Sequence, residues 1–594
     1  MTREGRSSGS FFPQALETPG MDVHVIADDP VREELVAAFE DVDLEVRDAS
    51  PTDLTDARFA VVSDVAGADV FDRANEATLE GSTPWIAVEV GGAGGHPITD
   101  VDAAISGFAP GSGCFACLRS RVISTVETVP ENAKADRSAV RLAGAVAARE
   151  CIRLFSGGEE SIVGHVLELP HARRRLLAVP GCDCAEGGRD RTLDLEDDDS
   201  LPLEATVERA DLAIDDRVGP ITSIGEVESF PAPYYLATTA ETDGYSDASA
   251  PKQAAGVDPD WNAAFVKAVG EALERYCGAV YREEEFVHAS YDDLESAVDP
   301  RDLVRPDDAP EFDPDTEYPW VEGRNLASDE STYLPAAAVQ FPPPGDRLVP
   351  AITTGLGLGS STVDALLSGL TEVIERDATM LSWYSTYEPL GLAVDDEDFD
   401  ELARRARGEG LSVTPMLVTQ DVDVPVVAVA VHREGEWPRF AIGSAADLDA
   451  TAAARSALAE AIQNWMELRS LGEADADEAG GAIGEYAAFP EEVRSYLEVD
   501  RTIDATAVGS DSAPEGREAL EELVDRLDDA DLTPYAVRLT TRDVESLGFE
   551  AVRTVVPGAQ PLFTSDAFFG ERAETVPEEL GFEPRLDRPF HPYP

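Results

Sequence analysis

Two short stretches of the chain repeat one arrangement of charge. Residues 271–275 read Glu-Ala-Leu-Glu-Arg and residues 372–376 read Glu-Val-Ile-Glu-Arg. A spacing of i, i+3 puts both carboxylates of a pair on one side of a helix. Glu271 with Glu274, and Glu372 with Glu375, would therefore offer four acids if the two helices face each other. Four carboxylates do not stay ionised together in a cleft without cations. Hard divalent cations take carboxylate oxygens, while Arg275 and Arg376 can neutralise the acids or clamp a phosphate. A solvated acidic face explains one such stripe equally well; its recurrence favours the cleft.

These residues need helices to carry them. Gly355, Gly357 and Gly359 lead into Ser360-Ser361, which can cap a helix running to Met380. At about 100° per residue, Asp364, Ser368, Glu372 and Glu375 fall within roughly 80° of one another, opposite Val363, Leu366, Leu370 and Ile374. A helix N-terminus attracts anions, so this end suits a cation-borne phosphate. A helix over Trp261 to Val280 carries Lys267, Glu271, Glu274, Arg275 and Gly278 on one face. A third, over 451–469, carries Ser456, Glu460, Gln463 and Glu467 on one polar stripe. Strands are expected at 411–419, 424–432 and 440–445, with a last pair in TPYAVRLTT and FEAVRTVVPG. Helices against mixed or antiparallel strands make this an α+β domain.

The amino-terminal part reads differently. Strand–helix–strand over 21–50 and buried strands at 59–64 and 85–90 predict an open α/β sheet. GGAGG at 91–95 follows a strand but lacks the full dinucleotide fingerprint, and reads as a loop. A helix is expected over 140–155 and a strand near 162–169. Cys114 and Cys117 form a C-x2-C, and Cys182 and Cys184 a C-x-C. Four thiolates in two close pairs fit a closed tetrahedral Zn²⁺ site; a redox pair or reduced structural cysteines are the alternatives. Cys151 and Cys277 read as buried small hydrophobes.

The predicted organisation is a flexible leader (1–20), an α/β zinc-bearing domain (21–188), an acidic linker (189–202), the α+β domain (203–585) and a proline-rich tail (586–594). Pro589, Pro592 and Pro594 would stiffen that tail and deliver its carboxylate to a fixed place, although composition alone favours a disordered end. Lys and Arg number 46 against 118 Asp and Glu, a net charge of −72, and only Lys134, Lys252 and Lys267 are lysines. Self-repulsion on that scale is relieved when molar salt shrinks the Debye length to about 3 Å, which points to a salt-loaded, halophilic cytoplasm. A basic nucleic-acid surface is disfavoured. No apolar run approaches the roughly 20 residues of a membrane span, and the first residues lack a signal-peptide core. A soluble, cytoplasmic protein without membrane or nucleic-acid partners is expected.

The glycine-rich stretch followed by GLTEVIERDA, with GEALERY before it, AEAIQNW after it and the PxxPxP terminus, resembles the YcaO domain of azoline-forming enzymes. The half with GCFACLRSR and VPGCDC is similar to the zinc-bearing, E1/ThiF-like cyclodehydratase partner. The whole resembles fused TOMM (thiazole/oxazole-modified microcin) cyclodehydratases of the SagD type. The resemblance implies an ATP site with Mg²⁺ on Glu271, Glu274, Glu372 and Glu375. ATP contacts would come from Lys267, Arg275, Ser360, Asp364, Arg376, Glu460 and Gln463. Structural Zn²⁺ would sit on Cys114, Cys117, Cys182 and Cys184, and the Pro594 carboxylate would act as general base. Asp364 stands where the family usually has Glu, Ser360 where Asn is frequent and Lys267 where Ser is usual. The family's Gly-Lys-Gly is replaced by AAGVD at 254–258.

The implied reaction is attack of a Cys, Ser or Thr side chain on the preceding backbone carbonyl. ATP then phosphorylates the oxyanion, and phosphate leaves to give an azoline. Implied partners are a ribosomal precursor peptide, a separate leader-binding protein, a flavin dehydrogenase and a second copy in a homodimer. Thioamide formation with a sulfur donor, or a non-catalytic docking scaffold, are the competing functions.

Overall fold

A computed structural model describes residues 22–126, 132–157, 161–170, 172–185, 188–345, 348–476, 486–509, 513–564 and 566–593. The expected leader and Pro594 lie outside the described residues. The chain divides into two compact units. One comprises Met1–Gly188, Asp215–Thr222 and Ala240–Tyr245, and the other Arg189–Ile214, Ser223–Thr239 and Ser246–Pro594.

The first unit is built on a seven-stranded mixed sheet. Asp22–Ile26 lies between Glu45–Asp48 and Ala60–Val65, parallel to both, and Ala60–Val65 is parallel to Trp85–Val90. Ala103–Phe108, His165–Leu169 and Ala172–Arg175 then continue it antiparallel. The central strands are buried on both faces, as expected where helices cover a parallel core. Val31–Glu40 and Arg137–Phe155 supply part of that cover. The GGAGG stretch forms a small hairpin, Gly92–Ala93 against His96–Pro97. Its Gly94 and Gly95 N–H groups donate to the buried Glu89 carboxylate at 2.7 and 2.6 Å, so those glycine donors are spent on the chain itself. A helix at Phe115–Ile123 begins inside the first cysteine pair.

Among the described residues the second unit holds three sheets. A five-stranded sheet runs Phe440–Ala446, Val426–His432, Ser412–Leu417, Leu390–Ala393 and Thr502–Asp504. A second contains Tyr318–Asn325, Tyr535–Arg538, Glu550–Val555 and Leu356–Gly359 in antiparallel register. The third contains Tyr234–Thr239 antiparallel to Gln253–Val257. The long helices Trp261–Ala279, Thr362–Trp383 and Ala450–Leu471 pack on them.

One segment differs from expectation. Residues 189–202 are no free linker: in the second unit Arg191 donates to Arg538 O at 2.8 Å and Arg189 to Leu539 O at 3.3 Å. Asp197 accepts from the Thr362 N–H at 3.1 Å, at the start of its helix. Buried carbonyls and a helix N-terminus thus give the charges of this segment partners that composition does not disclose. The tail is packed as far as it is described. Trp383 Nε1 donates to Pro589 O at 2.9 Å, Arg588 stacks 3.8 Å from the Trp383 ring, and Tyr593 is 1% exposed. Aromatic burial outweighs the proline content there. Among the described residues no helix is long and apolar enough to cross a membrane.

Candidate active site

Three helix–strand pairs of the second unit carry the acidic residues, and all three use one device. Each helix is capped by a side chain: Asp260 accepts from Asn262 and Ala263 N–H, Ser361 from Asp364 N–H, and Asp449 from Thr451 N–H. Each packs its backbone on a strand glycine. A Cβ at Gly256 would overlap Ala268 N, at Gly357 Ala365 O, and at Gly443 Ala461 N. At that close range a strand N–H reaches a helix carboxylate. Ala255 N donates to Glu271 at 2.6 Å, Gly355 N to Glu372 at 2.8 Å, and Ser444 N to Glu460 at 2.6 Å. Main-chain donors therefore orient one carboxylate on each helix.

The three helices bring their acids together. Burial, then Glu372 and Glu271, push the Glu274 carboxyl up to about 8. Burial also lifts Glu375 to about 8, with Glu460 and Glu372 adding to the rise and Arg376 opposing it. Glu271 and Glu460 are raised as well, burial being the largest cause in each. Arg275 pairs with Glu271 at 2.5 Å, and Arg376 lies 3.8 Å from Glu372 and 3.7 Å from Glu375. Such crowding of partly protonated acids around guanidinium groups suits a site that accepts divalent cations together with phosphate. Beside it opens a cavity of about 620 Å³, lined by Tyr234, Gln253, Glu271, Arg275, Gln463 and Glu467 among others.

Two contributors escaped the sequence reading. The Ser444 hydroxyl donates to Glu375 at 2.6 Å while its N–H holds Glu460, so it ties two helices together. Arg553, fully enclosed, has its pKa lowered to about 10 by burial, against the attraction of Glu372 and Glu274. Both sit in strands whose sequences signal only burial. The glycine before Ser444 was the available clue.

The remaining expected residues have partners of their own, and Gln463 shares the cavity wall with Glu271 and Arg275. Lys267 is exposed and pairs with Asp258 at 2.7 Å. Ser360 and Asp364 lie at the start of the Thr362 helix, where Ser200 donates to Asp364 at 2.6 Å and Leu201 N–H to Ser360 at 2.9 Å. Gln463 donates to Glu467 at 3.1 Å on the cavity wall. Arg469 stacks on Trp465, 4.3 Å from its centroid, and bonds Glu409 at 3.4 Å. Tyr593 shares a hydrogen bond of 3.0 Å with Tyr496, and its phenol is raised well above its ordinary value, chiefly by burial, with Glu375 a minor electrostatic contributor.

In the first unit the four cysteines Cys114, Cys117, Cys182 and Cys184 converge, their sulfurs all within 4.8 Å of one another. The Sγ–Sγ separations of 3.8, 3.6 and 3.5 Å match the edge of a tetrahedron with Zn–S near 2.3 Å, roughly 3.8 Å. The Cys117 and Cys182 thiols are pushed up by their sulfur neighbours, whereas Cys114, stabilised by Cys117 and Cys182, is lowered to about 7. A cation would relieve that crowding.

Comparison with known proteins agrees on the second unit. A family model described as YcaO cyclodehydratase, ATP- and Mg²⁺-binding, matches residues 255–560, just over half of the 594 residues. An uncharacterized protein of Methanothermobacter thermautotrophicus is 31% identical over 212 residues, 34% of this chain. The match spans about half, 54%, of that relative's length. A heterocyclase solved in complex with substrate and cofactor has a similar fold, with TM-score 0.75 and 20% identity over 97% of this chain and 85% of that one. The heterocyclase TruD is similar at TM-score 0.68 and 19% identity, covering 97% and 84%. At these identities the two structures speak for the fold. With its three glutamate-bearing helices inside the matched span, this chain belongs to the YcaO family.

Proposed function

We propose that the chain is an ATP-dependent peptide cyclodehydratase that converts Cys, Ser or Thr of a ribosomal precursor peptide to an azoline. The observation that carries this reading is the convergence of both Glu-x-x-Glu-Arg steps with Glu460 and Arg553 in one buried cluster. Glu271, Glu274, Glu372 and Glu375 would hold Mg²⁺. When bound, Mg²⁺ supplies charge neutralisation for the transferring phosphoryl group. Arg275 and Arg376 face the same charge, and main-chain N–H groups keep the carboxylates aimed before any ligand arrives. Lys267, Ser360, Asp364, Glu460 and Gln463 complete the nucleotide contacts. Pro594 is assigned the general base, supported by the burial of Tyr593 immediately before it. Amide oxygen is a poor leaving group, and phosphorylation makes it a good one.

We further propose that the first unit is an E1/ThiF-like partner domain with structural Zn²⁺ on its four cysteines. A closed set of four sulfurs leaves no open position for chemistry.

Purified protein in molar KCl should release phosphate only when a Cys-containing peptide is supplied, and the product should lose one water per ring. Glu372→Gln should lower that release at least about 100-fold, more than loss of a supporting partner to a metal ligand costs. Unchanged turnover would remove the magnesium assignment. Exchange of oxygen for sulfur in the product would assign a thioamide-forming enzyme, and peptide binding without ATP turnover a docking scaffold.

A further inference from the structure

The end of strand Glu550–Val555 borders a second cavity. The space open to a water-sized sphere there is only about 80 Å³, well below the roughly 300–1,000 Å³ of a site for a whole drug-sized ligand and closer to the scale of one side chain. Its wall is largely hydrocarbon, with Val304, Ile352, Val373 and Val556 among its residues. Val373 follows Glu372 directly, so cavity and cluster are one residue apart on the same helix.

Arg553 joins the two. It is 5% exposed and lines the cavity, and Glu372 and Glu274 attract it from the cluster side. Its Nη1 donates to Thr353 O at 2.9 Å, but its buried Nε–H has no partner. A buried donor left unpaired costs on the order of 1–3 kcal/mol. The other polar side chains of the wall are largely spent. Gln560 bonds Pro561 O, Phe568 O and Gly570 N–H, and the Thr554 hydroxyl bonds Gly355 O. The cavity thus presents one unused guanidinium donor beside an apolar space. Two carboxylates already face that guanidinium, so a third anion would be repelled and a neutral carbonyl oxygen accepted. A nucleobase, with several polar edge atoms, would find too few partners.

We propose that this cavity is a side-chain pocket for the peptide substrate. An apolar residue fills it while the same residue's backbone carbonyl accepts a hydrogen bond from Arg553 Nε. The assignment rests on the cyclodehydratase reading, which is what brings a peptide to Glu372. It makes the enzyme select a large apolar residue beside the reacting amide.

The test uses the full chain in molar KCl, titrated with N-acetyl-leucine methylamide and N-acetyl-glycine methylamide and followed by ligand-observed NMR. The leucine compound should bind about 10-fold tighter or more, the scale of burying one large aliphatic side chain. Val556→Phe should abolish the preference and leave Mg·ATP affinity unchanged; Val304→Phe repeats the test if the first variant fails to fold. Equal binding of the two compounds, binding of neither, or an undiminished preference in a folded filled variant overturns the proposal. A filled cavity that weakens Mg·ATP assigns the space to nucleotide and overturns it as well. Failure of the cyclodehydratase reading appears separately, as wild-type protein that discriminates the two compounds yet releases no peptide-dependent phosphate.

Discussion

The cysteine cluster of the first unit and the glutamate cluster of the second are built in opposite ways. The sulfurs face one another within 4.8 Å, so a bound ion would be fully surrounded. The glutamates come from two helices, each latched by a main-chain N–H, beside a cavity of about 620 Å³. A closed set holds segments together, whereas an open set leaves room for a second ligand. The difference separates a staple from a reaction centre more clearly than ligand identity does.

The strongest test of that contrast strips the staple. A chelator or Cys117→Ser should abolish the cooperative unfolding transition of the first unit in calorimetry. Apparent zinc-binding energies on the order of 10 kcal/mol exceed ordinary domain margins. An unmoved transition would make the cysteines merely reduced neighbours.

The open site should answer to pH. Burial, with acidic neighbours adding to it, keeps Glu274 and Glu375 protonated up to about 8, against 4.5 ordinarily. Between those values the folded chain holds more protons than the unfolded one, so metal-free stability falls as pH rises. Mg²⁺ must displace these protons. Its affinity in the presence of ATP should therefore climb from pH 6 to 8, roughly tenfold per pH unit for each proton released. Calorimetry in buffers of different ionisation heat counts those protons, and a flat affinity would contradict the crowding of the acids.

The smallest effect isolates one tie. Ser444→Ala keeps the N–H on Glu460 and removes only the hydroxyl on Glu375. Mg·ATP should bind about 10-fold more weakly, as for loss of one hydrogen bond to a charged group, about 1.5 kcal/mol. A loss as large as that of Glu372→Gln would mean that the hydroxyl, and not the main chain, sets the site.

What could be read from the sequence follows from range. Helix periodicity and the Glu-x-x-Glu-Arg spacing are local, so both acid pairs and their faces were legible, as were the cysteine pairs. Ser444 reaches Glu375 across 69 residues and Arg553 reaches Thr353 across 200; strand sequences carry no mark of such partners. Residues 189–202 misled for a related reason. Their charge reads as solvated until buried carbonyls and a helix N-terminus are seen to receive it. The stiffened tail was legible from its prolines, whereas the aromatic burial that fixes it, Trp383 against residues 588 and 589, was not.

The three strand-to-glutamate latches have a consequence for divergence. Their donors belong to Ala255, Gly355 and Ser444, and every amino acid except proline brings the same N–H to those places. The latch itself asks nothing of a side chain, so Ala255 is held only by the path of its strand. Gly355 is fixed for another reason, a φ of +88° and a Cβ position that would overlap Thr554 O, and Ser444 for a third, its hydroxyl on Glu375.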